Sequence, residues 1–360
     1  MGSLKFKNPA TYKRWLFVWI GYICDMQLHF SFIIPVYNRP DEIQELLQSF
    51  LGLDTKTDYE IVIVEDGSSL PSKKIVESFK NTLNISYFFK ENSGPGDSRN
   101  FGMQHAKGNY FIILDSDCIL PKNYLTEVGK SLKQDYVDCF GGPDAAHSSF
   151  TNLQKAINFS MTSVITTGGI RGNKNSIDTF QPRSFNMGLS KKAFEASNGF
   201  GRIHPGEDPD LSIRLWNLGF KTKLIPEAFV YHKRRISWSK FYKQVNKFGK
   251  VRPILNKWHP QTKKLTYWFP TLFCLGFIVS ILLFFLNFKW LLIAYIIYFV
   301  LVFIMALIST KNILVSVNAL VAISIQFVGY GYGFLRSTLA VNLFGKTPED
   351  YFPNLFFKSK

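Results

Sequence analysis

The stretch Phe111-Ile112-Ile113-Leu114-Asp115-Ser116-Asp117 decides the fold of this chain. Its four apolar residues predict a buried β-strand, and two carboxylates follow that strand directly. Carboxylates at the end of a buried strand are costly unless a cation meets them. A divalent metal that holds a diphosphate is therefore the natural candidate for this position.

Short apolar runs alternate with helical patterns through residues 30–230. Apolar positions at helical spacing, with Pro40 in the first turn, predict a helix over residues 40–53. The runs that predict strands cover residues 30–34, 61–64, 86–89 and 110–114. Strand–helix alternation favours an α/β fold with a mainly parallel sheet and helices on both faces.

The chain of 360 residues carries a formal net charge of +16, and much of that charge is local. Residues 233–264 hold eleven Lys or Arg and no Asp or Glu, directly before the first long apolar stretch. This is typical of a cytoplasmic flank that attracts anionic lipid headgroups. No nucleic-acid motif accompanies the basic stretch, so nucleic acid is not an expected partner. The four cysteines form no CxxC pair and give no support for zinc or a disulfide framework.

Three uncharged apolar stretches close the chain, at residues 267–288, 290–310 and 313–335. Each has the length of about 20 residues that a membrane helix needs. Buried helices of a soluble domain are the alternative, but three such runs in succession are rare there. The glycine-rich segment Gly329-Tyr330-Gly331-Tyr332-Gly333 would also suit a re-entrant or interfacial helix, so the side of the C-terminal tail stays open.

Two further segments are predicted to lie at the membrane surface. The apolar run at residues 15–24 is too short to span a bilayer and is predicted to lie in the interface or to pack on the domain. Residues 1–25 could also precede the natural start at Met26. The apolar positions of residues 238–248 have helical spacing with lysines between them, which predicts an amphipathic helix on the membrane.

Ligands of open α/β sheets bind beyond the carboxyl ends of the strands. Three predicted strands end in Pro35-Val36-Tyr37-Asn38, in Glu65-Asp66-Gly67-Ser68 and in Asp115-Ser116-Asp117. If these strands are neighbours, their polar ends converge on one crevice. There Asp66 could accept from a base N–H and Asp115 from ribose hydroxyls, while Asp117 is better placed to hold a metal.

Three more segments carry candidate chemistry. The loop Asn92-Ser93-Gly94-Pro95-Gly96-Asp97-Ser98-Arg99-Asn100 could let backbone approach a ligand, with Arg99 near a base or phosphate. Glu207-Asp208 opens a helical pattern and offers a general base, although acidic residues at a helix start are also good capping chemistry. His232 follows a predicted strand at residues 228–231 and offers a metal ligand or a structural imidazole.

In their order and spacing, these motifs resemble the family 2 inverting glycosyltransferases, whose fold is called GT-A. The resemblance covers about residues 30–235 and includes Asn186-Met187-Gly188. It implies a GT-A domain at residues 26–235. The other predicted regions are an N-terminal segment at 1–25, a basic juxtamembrane segment at 236–265, a transmembrane region at 266–335 and a tail at 336–360.

The resemblance also implies roles for single residues. Asp208 is similar to the family's catalytic base, with Glu207 lining the acceptor side. Asp115 and Asp117 are similar to its DxD pair, which binds ribose and a Mg²⁺ or Mn²⁺ ion, and His232 is similar to a third metal contact of some members. The residues expected to hold the nucleotide are Pro35, Tyr37, Asn38, Glu65, Asp66, Arg99 and Asp115. A family aspartate pair is Glu65-Asp66 here, a mild departure.

The sequence thus predicts an enzyme at the cytoplasmic membrane, with its catalytic domain facing the cytoplasm. It would move one sugar from a nucleotide diphosphate sugar to a lipid-linked or surface-glycan acceptor. A polyprenyl-phosphate sugar synthase and a processive polysaccharide synthase are the alternatives. Gln244-Val245-Asn246-Lys247-Phe248 only partly matches the QxxRW motif of processive synthases. A non-enzymatic receptor on the same scaffold is a third alternative. The sequence does not predict the sugar, the base of the donor or the acceptor.

Overall fold

The computed structural model describes residues 27–145, 150–167, 180–232 and 237–357. The N-terminal segment 1–25, predicted to be interfacial, lies outside the described residues. The strands are β1 (Phe30–Val36), β2 (Tyr59–Asp66), β3 (Ile85–Lys90), β4 (Tyr110–Leu114), β5 (Cys118–Ile119), β6 (Cys139–Gly141), β7 (Asp144–Ala145), β8 (Asn186–Ser190), β9 (Thr222–Leu224) and β10 (Val230–His232).

Helices alternate with these strands, and the named elements of the described chain after β10 are all helical. Between the strands they are α1 (Pro40–Leu51), α2 (Lys73–Phe79), α3 (Pro95–His105), α4 (Tyr124–Gln134), α5 (Asn152–Thr162), α6 (Val164–Thr167), α7 (Lys191–Ser197) and α8 (Glu207–Asn217). Beyond β10 they are α9 (Trp238–Trp258), α10 (Phe269–Phe285), α11 (Trp290–Thr310), α12 (Ile313–Ser337) and α13 (Pro348–Tyr351).

The main sheet has the strand order β3-β2-β1-β4-β8-β6-β9 in the described chain. Strands β1 to β4 are parallel to one another, and β8 runs antiparallel between β4 and β6. A smaller sheet joins β5, β10 and β7. The predicted α/β architecture is confirmed, and β1 lies between β2 and β4. The three polar strand ends therefore share one edge of the sheet, as the parallel arrangement requires.

Apolar side chains cover both faces of this sheet. Phe32 and Ile34 belong to one core cluster with helix α1, and Ile33 between them belongs to the other cluster. Alternate residues of one strand point to opposite faces, so a strand covered on both sides is apolar throughout. This explains why β4 reads as a continuous apolar run whose predicted bounds match the observed ones.

Three helical stretches of the described chain are long and apolar enough to cross a membrane, namely Leu265–Phe285, Trp290–Thr310 and Ile313–Leu343, which contain α10, α11 and α12. They indicate membrane association. The glycine-rich segment at residues 329–333 lies within α12 without a break. Beyond Ser337 the helix continues as a π-helical segment, Thr338–Leu343, before α13.

Helix α9 differs from its expected setting. Phe241 and Val245 were expected to rest on the membrane, but they are buried in a cluster with Ile157, Met161 and Ala322. The apolar face of α9 therefore packs on α5 and α12. Glycines make the packing of α9 on α12 possible. A Cβ atom at Gly249 would lie 2.2 Å from the Tyr330 carbonyl oxygen, and one at Gly333 would lie 2.3 Å from the Asn246 carbonyl oxygen.

Candidate active site

A buried arginine joins the end of strand β4 to the start of helix α8. Arg99 Nη2 lies 2.8 Å from Asp115 Oδ1, and Arg99 Nη1 lies 3.0 Å from Glu207 Oε1. The guanidinium group also lies 5.3 Å from the ring centre of Phe200. A planar fork can hold two carboxylates at once, which suits arginine better than lysine. Arg99 was predicted to contact the nucleotide. Its two terminal nitrogens bind Asp115, which was predicted to contact the donor, and Glu207, which was predicted to line the acceptor side.

Glu65 lies near the end of β2 and is fully buried. Its Oε2 accepts hydrogen bonds from the Ser72 N–H (2.8 Å) and the Tyr87 hydroxyl (3.1 Å), and its Oε1 accepts from the Ser68 hydroxyl. The carboxylate thus ties the turn after β2 to the start of α2 and to β3. Sequence reasoning assigned Glu65 to the nucleotide, whereas these contacts give it a role in holding the turn.

Asp66 fixes the glycine-containing loop. Its Oδ1 accepts from Lys90 Nζ (2.6 Å) and the Ser93 N–H (3.0 Å), and its Oδ2 accepts from the Gly94 N–H (2.9 Å). Hydrogen bonds to a charged group are the stronger ones, so this carboxylate sets the position of the loop at the edge of the crevice.

The turn after β1 is bound to the turn after β2. Asn38 has a left-handed backbone with φ of 54°, and its Oδ1 accepts from the Leu70 N–H (2.9 Å) and the Ser69 hydroxyl (3.0 Å). Pro35 lies in β1, opposite Val64 of β2. Tyr37 is 52% exposed, so its ring is available to a ligand. The first two strand ends thus form one connected wall.

A carboxylate and an imidazole meet on the small sheet. His232 ends β10 and pairs in register with Cys118, which brings His232 Nε2 to 3.1 Å from Asp117 Oδ1. The ring of Phe185 stacks on His232, with centroids 4.7 Å apart and an angle of 13° between the rings. His232 was expected to follow its strand and is instead the last residue of it.

This pair fits a divalent cation. Ligand atoms of Asp117, Cys118 and His232 lie within 4.8 Å of one another. Oxygen and imidazole ligands suit Mg²⁺ and Mn²⁺ better than a thiol does, and the Cys118 thiol donates instead to the Phe185 carbonyl (3.4 Å). The cluster found in the described chain does not include Asp115, whose Oδ1 is bound to Arg99.

The pKa values of the two acidic residues at the start of α8, Glu207 and Asp208, are shifted in opposite directions. Burial alone would raise the pKa of Glu207, but His204, 2.9 Å from Oε1, and Arg99 overcome it and hold that pKa at about 2. Burial raises the pKa of Asp208, helped by the charge of Glu207 and opposed by Arg183, 3.6 Å from Oδ2. Neighbouring carboxylates with divergent pKa values are typical of divided catalytic roles.

Gly94 adopts a φ of +97°, which favours glycine. A Cβ atom built there would lie 2.3 Å from Phe357 Cδ2, so the tail of the chain packs directly on this loop. From the other side, Asn100 exchanges hydrogen bonds with the backbone of Phe200 (2.8 and 2.9 Å). The glycine-containing loop and the segment before Glu207 are therefore held together.

Sequence reasoning missed four side chains around the site. They are Lys90 on Asp66, Arg183 beside Asp208, Phe185 on His232 and His204 beside Glu207. Only His204 carried a usable signal, because a residue three positions before a helix-opening glutamate can reach back to it. The others contact their partners across distant parts of the chain.

Sequence comparison identifies the domain. Residues 31–196 match glycosyl transferase family 2. The chain is 34% identical over 114 residues to the poly(ribitol-phosphate) beta-N-acetylglucosaminyltransferase TarS of Staphylococcus aureus, a match that covers 31% of this chain and 20% of TarS. It is 31% identical over 114 residues to the GalNAc(5)-diNAcBac-PP-undecaprenol beta-1,3-glucosyltransferase of Campylobacter jejuni, covering 31% of this chain and 37% of that protein. The chain thus matches only a fifth to just over a third of these relatives.

Structure comparison supports the same fold over nearly the whole chain. The mannosyltransferase PcManGT of Pyrobaculum calidifontis, solved with GDP-Man and Mn²⁺, superposes with a TM-score of 0.53 at 16% sequence identity. The match covers 94% of this chain and 95% of PcManGT, and at this identity it shows the fold alone. Together with the strand order and the sequence match, it shows that this chain carries a glycosyl transferase family 2 domain of the GT-A fold.

Proposed function

We propose that this chain is a membrane-anchored inverting glycosyltransferase that moves one sugar from a nucleotide diphosphate sugar to an acceptor hydroxyl. The observation that carries the proposal is the divided acidic pair at the start of α8. Arg99 and His204 hold Glu207 as a fixed anion, whereas Asp208 combines a raised pKa with a partly exposed side chain.

Asp208 is the proposed general base. As the acceptor oxygen bonds to the anomeric carbon, its proton passes to the Asp208 carboxylate, and the diphosphate leaves on the opposite face with the bonding electron pair. A carboxylate with a raised pKa is a better proton acceptor near neutral pH. Arg183 lies 3.6 Å from this carboxylate, and its charge opposes the rise in pKa and so favours the ionised form that a general base needs.

The donor is proposed to lie against the strand ends. Tyr37 offers an exposed ring to the base, and the loop held by Asp66 borders the crevice. Asp117 and His232 are proposed to hold Mg²⁺ or Mn²⁺, which would neutralise charge on the leaving diphosphate. Asp115 is proposed to contact the ribose while Arg99 holds its other side. PcManGT, which shares the fold, was solved with Mn²⁺ and GDP-Man.

The acceptor is proposed to be lipid-linked or part of a surface glycan. Two observations support this: the domain continues into apolar helices, and the relatives named above act on poly(ribitol-phosphate) or on an undecaprenol-linked saccharide. We further propose that the enzyme resides in the cytoplasmic membrane, with the domain in the cytoplasm next to the basic residues of 233–264.

A polyprenyl-phosphate acceptor is the main alternative. A phosphate is already ionised at neutral pH and needs no proton acceptor. The raised pKa of Asp208 therefore favours a hydroxyl acceptor.

A donor screen tests the proposal. Membranes containing the enzyme are incubated with labelled UDP- and GDP-sugars and extracted lipid-linked acceptors, with and without EDTA. We expect one sugar in a glycosidic bond, loss of transfer in EDTA and recovery with Mn²⁺ or Mg²⁺. A sugar phosphodiester would indicate the polyprenyl-phosphate reaction, and long products would indicate a processive synthase. Donor binding without transfer or hydrolysis would indicate a receptor.

The variant Asp117→Ala tests the metal site in the same assay. We expect transfer to fall by about 10²-fold or more, because a bound cation contributes several kcal/mol to stabilising developing charge. Asp135→Ala is the matched control, since Asp135 is 63% exposed and pairs only with Lys223 among the ion pairs of the described chain. Equal rates for Asp117→Ala and the control would refute the metal role of Asp117.

A further inference from the structure

Helix α12 has two unlike faces, in contrast to α10 and α11. Only 11% of the most apolar window of each of α10 and α11 is buried, against 39% for α12. The buried residues of α12 face α5, α9, α10 and α11, and they include Val315, Ala319, Ile323, Phe327 and Phe334. Apart from Ile313, the exposed large apolar residues of α12 and of the π-helical segment that continues it recur at intervals of three, four and seven. They define an exposed stripe, namely Leu314, Val317, Val321, Val328, Tyr332, Leu339 and Leu343. A one-sided stripe is typical of a helix that lies in an interface.

The chain that follows α12 returns to the catalytic domain. The His204 N–H donates to the Leu355 carbonyl (2.7 Å), and the Phe357 N–H donates to the Arg202 carbonyl (3.1 Å). Ile203 and Phe356 form a β-bridge between these bonds. The two ends of the apolar region, at residues 232 and 355, are therefore on the same side of any membrane. Between them the chain must cross an even number of times.

Helix α9 shows which candidate does not cross. It runs beside the second half of α12, with Val245 against Gly329 and the Asn246 carbonyl against Gly333. Farther along, Leu255 packs with Val341 in a shared cluster. If α12 crossed the bilayer, α9, which packs along it, would also lie inside the bilayer.

Helix α9 is too basic for that position. Lys240, Lys243 and Lys257 are exposed on it. A charged lysine at the bilayer centre is costly. At the membrane surface the same lysines meet anionic headgroups, which attract them.

We propose that α10 and α11 cross the bilayer as a hairpin while α12 lies along the membrane surface on the catalytic domain's side. The occupant of the exposed stripe is the lipid bilayer at its headgroup–acyl boundary. Two observations select lipid over a protein partner: α12 follows the apolar hairpin directly in the chain, and α9, which packs beside α12, carries exposed lysines. This arrangement holds whatever the enzyme transfers.

Side-specific labelling tests the number of crossings. Single cysteines are placed at Lys346, after α12, and at Asn287, in the turn between α10 and α11, within an active cysteine-replaced protein in oriented vesicles. Asp135→Cys marks the side of the catalytic domain. With a membrane-impermeant maleimide, we expect Lys346→Cys to label from the same side as Asp135→Cys, and Asn287→Cys only from the other side. Labelling of Lys346→Cys together with Asn287→Cys would overturn the proposal.

Depth-dependent fluorescence quenching tests the occupant. A fluorophore is attached in turn to cysteines at Leu314, Val328 and Leu343, and lipids brominated at different depths are compared. A helix in the surface plane places all three at one shallow depth, about 5–10 Å below the headgroups. A depth that changes steadily from Leu314 to Leu343 would show a spanning helix. No quenching at any position would show that protein, and not lipid, covers the stripe.

Discussion

The same dipeptide, Glu-Asp, occurs twice at this site with different consequences. At Glu65-Asp66, serine, tyrosine, lysine and backbone N–H groups bind the carboxylates, which thereby hold turns and loops in place. At Glu207-Asp208, Arg99 and His204 hold only the first carboxylate. The second has a raised pKa and, among the described residues, one ion pair, with Arg183 at 3.6 Å. Residue type alone therefore does not separate a carboxylate that is held by several donors from one that is proposed to react; their bound donors differ.

The largest expected effect comes from removing the charge of Asp208. In Asp208→Asn we expect the transfer rate to fall by about 10²–10⁴-fold, the usual contribution of a general base. The thermal unfolding midpoint should stay near that of the unmodified protein, because the change is nearly isosteric. Steady-state transfer and thermal unfolding measured on one preparation check both points. A fully active Asp208→Asn protein would remove the distinction between the two dipeptides.

The stability contribution of Glu207 comes next. Its pKa is about 2 in the folded chain against an ordinary 4.5, so its stabilisation is complete above pH 4.5 and is lost as the pH falls towards 2. Near neutral pH we expect Glu207→Gln to be less stable by about 3 kcal/mol. Denaturant unfolding at several pH values should show this difference shrinking below pH 4.5. A difference that is constant with pH would contradict the assigned ion pairs.

Glu65→Ala should act on stability more than on chemistry. The substitution leaves the buried Ser72 N–H without its acceptor, which costs about 1–3 kcal/mol, and the half-buried Tyr87 hydroxyl without its own, which costs less because water can reach it. We expect a lower unfolding midpoint and, in the fraction that stays folded, a transfer rate far above that of Asp208→Asn. Measuring the folded fraction by unfolding, and the transfer rate per folded molecule by active-site titration, would separate an effect on stability from an effect on chemistry. Loss of transfer in a fully folded Glu65→Ala protein would place Glu65 in the chemistry instead.

The smallest effect concerns the pH dependence of transfer. Because the pKa of Asp208 is raised, its carboxylate takes up a proton at a higher pH than an ordinary aspartate does. The acidic limb of kcat/KM should therefore lie above pH 3.8, and transfer should decrease as the pH falls through that limb. The residual activity of Asp208→Asn should lack this limb. An acidic limb at or below pH 3.8 would contradict the assignment.

Local patterns were enough for much of the fold. The bounds of β4 and α11 were predicted to the residue, because each is a continuous apolar run ended by polar residues. The parallel arrangement followed from strand–helix alternation. The short strands β6 and β9 were not predicted, because three residues carry no periodic signal.

The site was predictable as a set of candidates but not as a network. Sequence patterns singled out Arg99, Asp115 and Glu207 separately, yet Arg99 and Glu207 are 108 positions apart in the chain. Their pairing depends on how α8 is set against α3, and tertiary packing decides that. The burial of the apolar face of α9 was missed for the same kind of reason, since an apolar stripe does not say whether lipid or protein covers it.

The backbone pairing of residues 355–357 with residues 202–204 connects the C-terminal helices to the proposed active site. A shift of α12 driven by bilayer thickness, curvature or lateral pressure would pull on His204 and, through its imidazole, on Glu207. Turnover should thus vary with acyl-chain length when the protein is reconstituted, and detergent extraction should slow it even where the fold survives.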